Sequence, residues 1–119
     1  MNTVAELNVP LFRKALEYVT EHPEEHDQDV WAYRTRCGTK LCLAGTVAML
    51  TGHAFVWDEF SDGAQAVWTT DGRSIADVAQ DELGLDNVDA NWLFNGCDTI
   101  DELWEAAEEI TDSEIRRLP

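Results

Sequence analysis

The stretch WAYRTRCGTKLCLAG, residues 31–45, decides the fold. It holds two of the three cysteines, a tight Cys37-Gly38-Thr39 turn and the opening of the most apolar segment of the chain. With Thr39 as N-cap, the pattern predicts a helix from Lys40 to about Thr51, and Gly52 stands where a left-handed residue ends a helix. This helix is apolar on nearly every side, which marks a buried central element and not a surface one. Leu43, Val47 and Leu50 make its bulky face, while Ala44, Gly45 and Ala48 leave a narrow one. A glycine inside a helix costs about 1 kcal/mol relative to alanine. Gly45 therefore implies a backbone or ring lying against it, with Trp31 and Trp92 as candidates.

Reading outward, Asn8 can cap a first helix with Pro10 in its opening turn, and Leu11, Phe12, Ala15, Leu16 and Val19 fall on one face. Pro23 ends it. The segment EEHDQDVWAYRTR is polar and without period, and reads as loop or short turn with Trp31 and Tyr33 as aromatic anchors. Downstream, Phe55-Val56-Trp57 and Ala66-Val67-Trp68 flank Asp62-Gly63, the signature of a hairpin from about Phe55 to Thr69. The last third is helical. Ser74 with Asp77 opens one helix that Gly84 stops, and Asp86 caps a short one that Asn95-Gly96 ends. Thr99 with Glu102 forms a capping box for a final helix. That helix carries the apolar stripe Ile100, Leu103, Trp104, Ala107, Ile110 and, opposite, Asp101, Glu105, Glu108, Glu109 and Asp112. The expected fold is α+β and mainly α: about five helices around the buried Leu41–Leu50 helix, with one β-hairpin, in a single globular domain over residues 1–119.

At 119 residues the chain suits one core. An apolar fraction of 45% with five Trp and four Phe argues for a folded globule. The net charge of −16 is unevenly spread: residues 1–50 hold 7 acids and 5 bases, residues 51–119 hold 17 acids and 3 bases. Such a field repels nucleic acid and anionic membrane, and speeds encounter with basic surfaces. MNTVAELNVP has no basic region followed by an apolar core, so no signal peptide is expected. Leu41 to Leu50 is too short to span a bilayer. Three cysteines make no disulfide framework, and free thiols in a reducing cytoplasm are the expectation.

Two chemistries deserve weighing around the Cys-Gly-Thr turn. A thiolate is favoured near a helix N-terminus, so Cys42, or Cys37, is a candidate nucleophile for a hydrolase. Such chemistry needs a base held close and oriented. His53 lies beyond the far end of the same helix, about 16 Å away at 1.5 Å per residue, which leaves His22 and His26 through tertiary folding. The other outcome is a buried, inert thiol. Structural zinc is poorly matched, because Cys37 and Cys42 are separated by four residues, Cys97 stands alone, and Pro23 interrupts His22 and His26. No EF-hand, Walker or dinucleotide pattern occurs. No catalytic residue, metal or cofactor is therefore expected.

The pattern HPEEHDQDVW, RCGTKLCLAG and DELGL followed after six residues by WLF resembles a group of small acidic proteins of mycobacteriophages and actinobacteria. These share a Trp, then Cys-Gly-Thr-x-x-Cys-x-Ala-Gly, then Leu-Gly-Leu and Leu-Phe. The resemblance spans roughly residues 17 to 110, and its structural motif falls on Trp31, Cys37, Gly38, Thr39, Cys42 and Gly45. It departs at Thr46, where relatives tend to carry an aromatic. The resemblance implies a small accessory protein of phage or prophage origin acting in the host cytoplasm. Together with the charge, it leads to the expectation of a non-enzymatic protein that binds a basic host protein through Asp101, Glu105, Glu108 and Glu109. A DNA mimic that inhibits a nucleic-acid-binding protein and a cysteine-dependent hydrolase are the alternatives.

Overall fold

The computed structural model describes residues 7–36 and 38–117. Helix α1 (Val9–Glu21) opens as its capping residue requires: the Asn8 side chain accepts from the Leu11 N–H at 3.2 Å. Phe12, Ala15, Leu16 and Val19 are buried along one side. After a single 3₁₀ turn at Pro23–Glu25 come two short strands, β1 (Ala32–Thr35) and β2 (Gly38–Leu41), then helix α2 (Leu43–Leu50). Strands β3 (Phe55–Phe60) and β4 (Gly63–Thr69) make the hairpin. Helices α3 (Ile75–Leu83), α4 (Asn87–Asn95) and α5 (Ile100–Ile110) complete the described chain.

The expectation of a lone hairpin is overturned. β1 and β2 join β3 and β4 in a four-stranded antiparallel sheet of order β2-β1-β4-β3. Ala32 pairs with Leu41 on one side and Ala66 on the other, so β1 is an inner strand. Its sequence looks like loop because only Ala32 is fully buried, while Tyr33, Arg34 and Thr35 stay partly exposed. Four residues are too few to display an alternation, and the ladder on both sides supplies what propensity does not.

The start of α2 shifts for the same reason. Thr39 lies inside β2, paired with Arg34, and does not cap the helix. Cys42 is the N-cap, so the helix begins three residues later than the Thr39 reading places it. From there the expectation of a buried central helix stands: Leu43, Ala44, Val47 and Ala48 have no solvent exposure. The helix packs against α1 and α3. Ser74, Asp86 and Thr99 cap α3, α4 and α5 through their side chains, and Thr99 with Glu102 forms the full capping box. Gly84 ends α3 in the left-handed region.

The core takes side chains from all five of these helices and from β1, β2 and β4. On α5 the buried stripe is Leu103, Trp104, Ala106 and Ala107, with Ile100 and Ile110 at its margins. Beyond α5 the chain turns sharply through Asp112 and Ser113, both left-handed (φ 52° and 68°). The turn returns Ile115 to the core, where it is fully buried. The Thr111 hydroxyl holds the turn, donating to the Ala107 carbonyl at 2.7 Å and accepting from the Ile115 N–H at 3.0 Å.

Candidate functional site

The segment Cys42–Gly45 is the joint between sheet and helix. Gly38 opens β2 with φ +126° and Thr39 follows in the strand, while Cys37 lies outside the described residues. Cys42 follows the last residue of the strand and caps the helix. Its sulfur accepts from the Gly45 N–H at 3.4 Å and donates to the Trp31 carbonyl at 3.6 Å. Gly45 sits in the first turn of α2, against the backbone of Trp31: a Cβ built there would lie 2.3 Å from the Trp31 carbonyl oxygen. The expected close approach is real, and it is made by the main chain of Trp31 and not by its ring. That ring meets Phe94 of α4 edge-on, centroids 6.5 Å apart.

This geometry suits packing better than nucleophilic chemistry. Cys42 is 1% exposed. Burial pushes its thiol up to about 11, and the opposing pull of the helix-terminal amides of Gly45 and Ala44 is too small to offset it. The histidines are bonded elsewhere. His22 donates from Nδ1 to the Tyr18 carbonyl and stacks on the Tyr18 ring. His26 Nε2 donates to Gln28 Oε1 at 2.8 Å, and the same oxygen accepts from the Leu43 N–H at 3.1 Å. Gln28 thus satisfies the first amide of α2 from a distant loop, a role the sequence alone did not signal. His53 lies between Glu82 (3.0 Å) and Asp71 (3.8 Å), tying the end of α2 to the end of α3 and to the turn after β4. The Asp71 carboxyl is held down to about 2, chiefly by the Thr69 hydroxyl and then by Arg73. Among the described residues no group of three His, Cys, Asp or Glu is arranged to hold a metal ion.

The acidic residues singled out on α5 are all exposed, and the structure divides them. Asp101 pairs with Arg117, whose guanidinium also lies over the Trp104 ring, 5.8 Å from its centroid. Glu105, Glu108 and Glu109, with Asp112 beside them, line one side of the helix end, and among the described residues no cation reaches ion-pair distance of them. The negative surface continues onto α4. The Asp89 carboxyl is raised above its ordinary value by partial burial, then by Asp86 and Glu109. Asp86 and Asp89 therefore extend the acidic ridge, a neighbourhood set by the packing of α4 on α5 that spacing within one helix does not reveal.

Three of the chain's eight cations, Arg13, Arg116 and Arg117, line a groove of about 490 Å³ between α1 and the segment that follows α5. Glu17, Glu21 and Glu114 line it too and match their charge. The outer face of the hairpin is a second exposed surface: Val56, Phe60, Val67 and Trp68 are all between 41% and 54% exposed.

No described helix is long and apolar enough to cross a membrane. Comparison of the chain with protein-family models, with curated proteins and with solved structures gives no match.

Proposed function

We propose that this chain is a non-enzymatic, phage-type accessory protein that acts in a bacterial host cytoplasm by binding a host protein with a basic surface. The observation that carries the reading is the ridge of Glu105, Glu108, Glu109 and Asp112, continued by Asp86 and Asp89, without a neutralising cation among the described residues. Carboxylates at i,i+3 and i,i+4 repel one another by a few tenths of a kcal/mol per pair. Those near a helix C-terminus also oppose its dipole. A locally unfavourable pattern kept on one exposed face suits a surface whose charges are neutralised by a partner. A thiol buried and pushed up to about 11 weighs against the hydrolase alternative.

The test compares the parent with Glu105→Gln/Glu108→Gln/Glu109→Gln as bait in actinobacterial lysate, at low and raised salt. The reading expects a protein held by the parent, released by salt, and lost with the more stable triple variant. Equal retention by both baits at low salt refutes it. If the captured protein binds DNA and duplex DNA displaces the bait, the DNA-mimic form of the reading is selected.

A further inference from the structure

We infer that β3 is an acceptor edge, on which an extended basic segment of a partner protein adds as a fifth strand. β3 is the outer strand of the order β2-β1-β4-β3. Alternate residues of an edge strand turn their N–H and C=O groups away from the sheet, as a ready template for another strand. Among the described residues no strand or loop bonds the outward side of Phe55–Phe60.

The side chains favour one kind of guest. On the outer face β3 presents Val56, Asp58 and Phe60 in succession, all exposed. Trp68 stands opposite Val56 in the ladder and is 54% exposed. Tyr33 approaches Phe60, ring centroids 5.9 Å apart. The face therefore reads apolar, acidic, apolar along the edge, with one aromatic ring behind each apolar end, Trp68 by Val56 and Tyr33 by Phe60. A strand that reads apolar, basic, apolar on its matching face would cover Val56 and Phe60 and neutralise Asp58, whose other neighbours leave it exposed. Glu59, on the opposite face, is already paired with Arg34 at 3.8 Å, and Arg34 stacks on Trp57 at 4.3 Å.

A second copy of this chain is the poorer guest. Each copy carries −16, and pairing β3 with itself brings Asp58 and Glu59 of both together. The inference rests on the proposed binding of a basic protein, and adds to it a site away from the α4–α5 ridge.

The probe is a capped synthetic peptide with Val-Lys-Val on one face and threonines between, titrated into the full-length protein at low salt. Amide chemical shifts and exchange report the location. The expected result is saturable binding that protects the β3 amides and moves the Trp68 side-chain signal. Binding should weaken at least tenfold for the Val-Glu-Val peptide, and Asp58→Lys should reverse the preference. Methylating the peptide nitrogens on the pairing edge should abolish binding. Equal binding of both peptides, no binding of either, or shifts confined to Glu105, Glu108 and Glu109 overturn the inference; the last of these leaves the acidic-ridge proposal standing. Sedimentation showing self-association that Val56→Lys abolishes would overturn it in favour of a second copy.

Discussion

Replacing Gly45 by alanine sets two effects of opposite sign against each other. Helix propensity favours the change by about 1 kcal/mol. Against it, the new Cβ would lie 2.3 Å from the Trp31 carbonyl oxygen and 3.3 Å from Leu41 Cβ. Real contacts of this kind do not fall below 3.0 Å, so the carbonyl and helix must separate by at least 0.7 Å. Trp31 is not free to yield. Its carbonyl accepts from both the backbone and the sulfur of Cys42, its ring packs on Phe94, and the next residue is paired on both sides in the sheet. Overpacking of this sort costs about 1–3 kcal/mol, and weakening the bonds to that carbonyl adds about 1 kcal/mol. The net expectation is destabilisation by about 2 kcal/mol, or a fall in Tm of roughly 5–10 °C for a chain of this size. Calorimetry, with urea midpoints read by Trp fluorescence, measures it. A Tm that rises, as propensity alone dictates, would refute the claim that sheet and helix meet at this residue.

Other outcomes follow from the same reading. Cys42 and Cys97 are both pushed up to about 11 from an ordinary value of 9.0, mainly by burial. Their contribution to stability is full below about pH 9 and is lost as pH rises through about 11; urea midpoints should fall across that window, and less steeply in Cys42→Ala. Native Cys42 should resist alkylation at neutral pH until the chain unfolds. The depressed Asp71 carboxyl carries the opposite sign: its contribution is present above about pH 4 and lost as pH falls through about 2. Asp71→Asn should therefore lower the Tm at pH 6, with the difference from the parent closing in strong acid. Ser113→Gly relieves a left-handed residue and should raise stability by about 0.5–1 kcal/mol, seen as a higher urea midpoint with an unchanged slope.

The sequence made local features legible and hid those that depend on distant partners. The caps at Asn8, Ser74, Asp86 and Thr99 could be read because each side chain bonds an amide three residues ahead. Gly45 could be read because a costly residue in a helix implies a compensating contact. β1 could not, since its place is set by pairing Ala32 with Ala66, far along the chain. Thr39 illustrates the ambiguity: a threonine before an apolar run suits a cap, yet it also suits a strand, and the β2 ladder decided between them.

The same division applies to the surfaces. Repulsion among Glu105, Glu108 and Glu109 is visible from helical spacing, whereas the approach of Asp89 to Glu109 required α4 to pack on α5. The exposed side of the hairpin required knowledge of which side is covered. Ala64, Ala66 and Thr69 are buried on β4, so Trp68 must face out. The register slip between Val56 and Asp58 also disguises this, because two steps along β3 match three along β4. Strict alternation fails there, and Val67 and Trp68 are both exposed. The joint at Cys42 and Gly45 constrains its residues because the Trp31 backbone, a sulfur and a glycine must all fit within one turn. The surfaces able to meet a partner need only charge and exposure, which many sequences can provide. The proposed binding surfaces lie apart from the Cys42–Gly45 joint, and substitutions should separate the two: changes at Cys42 or Gly45 should act on stability, and changes at Asp58 or Glu105 on the proposed binding.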